Sequence, residues 1–258
     1  MQDVKLTMIG GPTVLIEVGG FRLLTDPTFD APGGEYAIGP VKMLKQKGPA
    51  LPHNAIGHID AVLLSHEQHG DNLDNLGREF LKTVGVVYTT KQSAAKLGNN
   101  ALGMAAWQSA VLNAPNGKSL KITSTPARHG PAGIEPKSGD VTGFILQWDD
   151  EDNKAIYVSG DTVWYEGVAE IAQKFEVAFA ILNMGAAQIE AVGPMELTMN
   201  ADGAVKAANA FRNAKIIPAH YDGWAHWKEH RSAVHSVFVE ANLAGRLIWL
   251  EPGVATIL

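Results

Sequence analysis

Hydrophobic and polar positions alternate in short runs at the start of the chain. Residues 5–9, 13–18 and 21–25 read as strands, and the pairs Gly10-Gly11 and Gly19-Gly20 suit tight turns between them. Residues 26–58 carry little periodicity and much Pro and Gly, and a connection of that length is expected to serve function. Order then returns, with a buried strand at 61–65, a helix at 71–81, a strand at 85–89 and a short helix at 91–97. A second block repeats the outline. It has strands at 120–125, 141–148 and 155–159, with a polar hairpin turn at 150–153. An amphipathic helix at 162–175 and a strand at 177–183 follow, then a helix at 200–212 with Asn200 as N-cap. The chain closes with a strand at 215–218, a helix at 227–241 and strands at 246–250 and 254–258. Strand pairs followed by strand–helix alternation, twice over, predict an α/β protein of two packed sheets with helices outside.

A chain of 258 residues fits one domain, 1–258, with a substantial core. Its formal charge of −6 gives no electrostatic reason to expect nucleic acid as a partner. No segment approaches the ~20 apolar residues of a membrane helix, and the first residues lack a basic-then-apolar leader. A cytoplasmic chain without membrane insertion is therefore expected, with homo-oligomerisation left open. The absence of Cys changes the picture more, because it excludes thiolate ligands. Any metal must sit on His, carboxylate, backbone or water.

Candidate ligands share one habit. His66 follows the apolar run Ala61-Val62-Leu63-Leu64, Asp161 follows Ile156-Tyr157-Val158, His220 follows Ile216-Ile217-Pro218-Ala219, and His129 trails the strand near Thr123. Four strands thus deliver a His or Asp at their C-terminal ends, where a sheet places side chains rigidly and open to ligand. The segment Ser65-His66-Glu67-Gln68-His69-Gly70-Asp71-Asn72 packs several further donors into one strand-to-helix turn. Imidazole with carboxylate suits zinc, iron or manganese. Plainer roles compete: Asp71 as a helix N-cap, Asp161 or Thr162 as the cap of the next helix, and the histidines as turn residues. Asp26 suits either a support to a ligand His or a turn cap before Pro27. Trp164, Tyr165 and Trp224 suit an apolar pocket wall or plain core. His53, His58, His230 and His235 read as loop or exposed-helix residues.

With these pieces the chain resembles the metallo-β-lactamase superfamily, whose mark is His-x-His-x-Asp-His at a strand end, followed by a lone His, Asp and His. Within it the chain is most similar to the branch containing L-ascorbate-6-phosphate lactonase, through Ile9-Gly10-Gly11, Leu24-Thr25-Asp26-Pro27, Leu64-Ser65-His66, Leu73-Asp74, Ser159-Gly160-Asp161-Thr162 and Leu197-Thr198-Met199. The resemblance implies a four-layer αββα sandwich of two mixed sheets and one or two divalent ions, zinc or manganese. It implies His66, His69 and His129 around one ion, Asp161 bridging, and Asp71 with His220 on the other. The motif departs by one residue: His69, or Gln68 through its amide oxygen, fills the second position, and Asn72 stands where the last His belongs. His69 is favoured, as the better ligand.

The chemistry implied is water activation by a cation that lowers the water pKa toward ~7 and polarises the substrate. Asp71, Asp161 and His226 are the expected catalytic residues, Asp71 as proton acceptor and His226 as substrate contact or proton donor. A packed His at a helix start is the alternative for His226. The function expected is hydrolysis of a small ester- or lactone-type molecule. The alternatives are a small phosphodiester, or a metal-binding relative that has lost catalysis through Gln68 and Asn72.

Overall fold

Period-two burial in the strands sets the layers. In the strand β6 (Ala61–Leu63), Ala61 and Leu63 face one core while Val62 faces another. In β12 (Ala155–Val158), Ile156 and Val158 point inward and Ala155 and Tyr157 outward. Strands buried on both faces read as near-continuous apolar runs, which is why these segments stood out. The computed structural model describes residues 4–38, 41–114, 117–148 and 154–258. The expected turn at 150–153 lies outside the described residues.

The first sheet adds β1 (Lys5–Gly10), β2 (Thr13–Val18), β3 (Phe21–Thr25), β7 (Val87–Thr90), β8 (Ala101–Met104) and β15 (Ala255–Ile257), in the order β15-β1-β2-β3-β6-β7-β8. Its β15-β1-β2-β3 half is antiparallel and its β3-β6-β7-β8 half parallel. The second sheet adds β9 (Ser109–Asn113), β10 (Ser119–Pro126), β11 (Thr142–Trp148), β13 (Val177–Asn183) and β14 (Lys215–Ala219), in the order β14-β13-β12-β11-β10-β9. It too is mixed, parallel from β12 to β14 and antiparallel from β9 to β12. Leu6, Ile16, Leu23, Phe144, Leu146 and Ile217 belong to the core between the sheets.

Helices cover the outer faces. The helix α1 (Asn75–Leu81) brings Phe80 and Leu81 against Val62, Leu64 and Val87. The helices α4 (Glu166–Lys174), α5 (Ala201–Ala210) and α6 (Arg231–Glu240) bring Val168, Ile171, Ala204, Ala208, Val234 and Phe238 against Tyr157, Ala180 and Ile216. The small alanines of α5 allow that helix a close seat on the sheet. The result is the expected αββα sandwich of the metallo-β-lactamase fold. The short helix α2 (Lys91–Leu97) follows β7, and α3 (Glu135–Ser138) caps a loop near the site.

Several boundaries differ from the sequence reading, each for a local reason. The helix expected from residue 71 starts at Asn75, because Asp74 is the N-cap, its carboxylate accepting from Gly77 N at 2.8 Å. Asp71 is thereby released from capping. The helix expected from 162 starts at Glu166, and the one from 227 starts at Arg231. Asn200 caps α5 as expected, accepting from Gly203 N at 2.7 Å. The expected strand at 246–250 is a 3-10 turn at Ala244–Arg246 followed by a single bridge from Leu247 to Ile216. The long connection 26–58 carries a hairpin, β4 (Glu35–Ile38) with β5 (Val41–Leu44), continued by a bridge from Lys45 to Trp224. The strands β8 and β9 escaped notice because both lie at sheet edges, where half-exposed residues blur the apolar pattern.

Candidate metal centre

The loop after β6 begins with a relay. Ser65 donates its backbone N–H to Oδ1 of Asp26 at 2.6 Å and its hydroxyl to Oδ2 at 2.9 Å. Its oxygen then lies 2.9 Å from Nδ1 of His66, placed to accept that ring proton. Three residues beyond β10, Nδ1 of His129 donates to the Leu197 carbonyl at 2.7 Å. Both contacts fix the Nδ1–H tautomer and leave Nε2 bare. Those two Nε2 atoms lie 2.8 and 3.1 Å from Nδ1 of His69. One ring proton on His69 cannot satisfy two acceptors. Three nitrogens therefore present lone pairs to one point, an arrangement that a divalent cation completes. Burial, then the neighbouring His69, holds His66 well below the usual histidine range, and burial with His129 brings His69 down to about 4. Neutral imidazoles are the ligand form.

Asp161, Asp71 and His220 form a second trio, and in each trio the candidate ligand atoms lie within 4.8 Å of one another. Oδ1 of Asp161 accepts from Nδ2 of Asn183 at 2.9 Å, Nδ2 of Asn72 at 3.2 Å and Nδ1 of His220 at 2.9 Å. Its Oδ2 stands 4.0 Å from Nε2 of His129, between the trios. Oδ2 of Asp71 accepts from Nε2 of His226 at 3.0 Å and lies 3.6 Å from Nε2 of His220. Oδ1 of Asp71 and Nε2 of His220 are buried without a hydrogen-bond partner, so this trio also fits a cation. Burial alone would raise both carboxyls. The histidines outweigh it, His226 at Asp71 and His220 at Asp161, and hold both below the ordinary range. Burial likewise opposes the charge of His220, but Asp161 raises it.

Backbone geometry at the site is costly. His220 sits at φ +58° and Asp26 at φ +28°, in the left-handed region that non-glycine residues seldom occupy. Each costs on the order of 1–3 kcal/mol and is held by its surroundings; His220 N, for example, donates to Gly11 O at 2.9 Å. Gly160, at φ +58°, lets the second sheet approach the first, since a Cβ there would lie 2.4 Å from Thr142 O and 2.8 Å from Ser65 Cβ.

Beside the trios opens a cavity of about 330 Å³. His69, Asp71, His129 and His226 form its polar end; Val41, Met43, Ile134, Ala187, Ile189 and Leu197 supply apolar wall, and Lys137 is its one cation among the described lining residues. The hairpin in the long connection thus walls the cavity, through Val41 and Met43.

The structure brings together all six sequence-nominated ligands, and His226 with them. It does not bring Gln68, whose amide donates to Ser138 O and Asp140 O at 3.0 and 3.2 Å. Trp224 does not wall this cavity. It lines a separate one of about 300 Å³ behind His220 and packs on Tyr36, while Trp164 and Tyr165 pack against the outer core of the second sheet. Asp26 takes the supporting role, through Ser65. Burial and the Asp161 charge push its carboxyl up to about 7. Asn183 was missed, though a polar residue ending the apolar run of β13 was a visible signal.

Known proteins are similar to this chain along nearly its whole length. The chain is 24% identical to the UPF0173 protein YddR of Bacillus subtilis (strain 168), over 97% of this chain and 98% of the relative. It is also 24% identical, over the same shares, to a UPF0173 metal-dependent hydrolase of Desulforamulus reducens. Among solved structures, an isothiocyanate hydrolase from Delia radicum gut bacteria superposes with TM-score 0.82 at 22% identity, over 98% of both chains. Residues 21–221 match the family described as Beta-lactamase superfamily domain, and this chain belongs to that family.

Proposed function

We propose that the protein is a metal-dependent hydrolase of small, uncharged, largely apolar molecules of the ester or lactone type. The observation that carries this reading is the meeting of three bare imidazole nitrogens with an apolar-walled cavity of about 330 Å³. A divalent cation there, zinc or manganese from the donor set, would supply acidification of water and polarisation of the substrate. The chain's own groups do the rest. Asp71, depressed in pKa and with one bare oxygen, is placed to accept a proton. His226, paired with Asp71 and lining the cavity, is placed to contact the leaving group. The apolar wall excludes water and selects by shape.

The apolar wall favours neutral esters and lactones over a phosphate-bearing lactone of the ascorbate-6-phosphate kind and over small phosphodiesters, for which Lys137 is the one described lining cation. The relative named a metal-dependent hydrolase supports the reaction class. The fold likeness to an isothiocyanate hydrolase adds one neutral electrophile to the trial set. The test is turnover of zinc- and manganese-loaded protein on neutral esters, lactones, an aryl isothiocyanate, a phosphorylated lactone and a phosphodiester. Turnover confined to the neutral compounds is expected. Turnover confined to phosphorylated ones overturns the substrate class, and none on any compound favours a metal-binding protein without catalysis.

A further inference from the structure

The cavity of about 300 Å³ behind His220 has no part in the chemistry above, yet it is built as a ligand site is. It lies where the Gly10-Gly11 turn, the segment after β5 and the loop 220–224 meet. Backbone bonds hold these pieces together. His220 N donates to Gly11 O at 2.9 Å, Gln46 N and Lys47 N donate to Gly223 O at 2.7 and 3.1 Å, and Ala50 N donates to Ile9 O at 2.7 Å. Walls fixed in this way need little ordering when a ligand enters. Met8, Ile9, Pro49 and Pro252 give them apolar surface.

The buried polar groups left unspent in this lining are donors. Trp224 is 2% exposed, and its Nε1 would lie 3.6 Å from a Cβ on Gly11, so the N–H is directed at the space that glycine leaves open. It makes no hydrogen bond among the described residues, although a buried indole N–H usually finds a partner. Lys45, 3% exposed, spends one hydrogen bond on Oδ2 of Asp74 at 2.7 Å, and Asp74 does not line the cavity. An ammonium carries three protons, so donor capacity remains. The other buried side chains are already engaged, Thr28 with Thr13 and His220 with Asp161. At the rim, Lys47 meets the one lining carboxylate, Asp222, at 2.6 Å.

We propose that this cavity is a second small-molecule site, which takes a small carboxylate with an apolar body. The carboxylate faces Trp224 and Lys45, whose N–H groups bond a charged acceptor more strongly than a neutral one. The body lies on Met8, Ile9, Pro49 and Pro252. A dianion such as phosphate suits the site less, because Asp74 already balances Lys45 and Asp222 balances Lys47. The loop 220–227 is the partition between the two cavities, with Trp224 lining this one and His226 the other. An occupant therefore rests against the reverse side of the loop that carries both histidines. Carboxylates are also what ester and lactone hydrolysis releases. That link rests on the function proposed above, whereas the site rests on its own lining.

Methionine-methyl NMR of the metal-free protein tests it, with benzoate as probe and benzyl alcohol as its uncharged counterpart. Met8 lines this cavity and Met43 the other, so the two methyl groups report the two sites separately. The expected result is a saturable shift of Met8 with benzoate while Met43 stays in place. Benzyl alcohol should bind at least about 10-fold more weakly, the scale of a lost hydrogen bond to a charged group. Trp224→Phe, which keeps a ring but loses the N–H, should weaken benzoate by about 10-fold for the same reason. Ala50→Trp, at the exposed rim, should close the mouth and abolish the Met8 shift, with circular dichroism confirming both folds. No Met8 shift at ~10 mM benzoate, a shift of Met43 alone, or equal binding of the two probes overturns the inference. So does unchanged benzoate affinity in both folded variants. Neither metal nor substrate enters this experiment, so its failure leaves the hydrolase reading standing, and failed turnover leaves this site standing.

Discussion

Nε2 of His226 meets Oδ2 of Asp71 at 3.0 Å across 155 positions of sequence, and the other ring nitrogen of His226 is buried without a partner. The pair sits at the polar end of the cavity. His226→Ala should lower kcat by about 10²-fold or more, the scale of a lost proton-transfer group. The first metal ion should remain. His226→Gln, which keeps an N–H toward Asp71, should recover part of the loss. Steady-state kinetics with metal analysis decides, and loss of the ion in both variants would assign His226 a structural role instead.

Ser65 connects Asp26 to Nδ1 of His66, and the bare Nε2 of that ring depends on the connection. Ser65→Ala should weaken zinc binding by about 10–100-fold with little change in secondary structure. Competition against a chromophoric chelator measures it. Unchanged affinity would show that the Leu197 and His69 contacts suffice to orient the cluster.

Gly160→Ala should destabilise the protein by at least about 2 kcal/mol, because a left-handed backbone and an overpacked contact add together. The added methyl would press on the Thr142 carbonyl and on Ser65, so zinc affinity should fall as well. Urea unfolding of the metal-free protein gives the first effect and dialysis the second.

Asp26 predicts a pH dependence with a definite sign. An unfolded chain sheds this proton near pH 3.8, whereas the folded chain keeps it to about 7. Between those values the folded state binds more protons, so its stability falls as pH rises, by on the order of 4 kcal/mol in all. Asp26→Asn has no such proton to lose. Urea unfolding of metal-free protein at about pH 5 and 7.5 should therefore show a smaller decline in Asp26→Asn than in the unaltered chain. Equal declines would mean that Asp26 ionises normally.

The sequence made the site easier to read than its surroundings. His66, Asp161 and His220 follow unbroken apolar runs, and polar groups at the ends of buried strands have few structural reasons to be there. The αββα order was legible for the same reason, since double-faced burial writes long apolar runs. The hairpin over the cavity was not legible. Val41 and Met43 do alternate with exposed Lys42 and Leu44, but four residues with an apolar Leu44 on the outer side are too short a run to show a period. Asp71 and Asp74 show a second limit. Both precede the helix, both are acidic, and only the fold tells which one caps it and which one turns to the cluster. Gln68 and His69 pose the same problem within one turn, where Gln68 reaches toward α3 and His69 toward the other two histidines.

His66, His69 and Asp71 come from the loop after β6 in the first sheet, while His129, Asp161 and His220 come from the second. An ion held on both sets is therefore a rivet through the seam of the sandwich. Mass action turns that into mechanical consequence: at free metal 1,000-fold above the dissociation constant, the folded state gains about 4 kcal/mol. Chelation should then lower the melting temperature and loosen this end of the seam first, leaving the opposite end closed by its own apolar core.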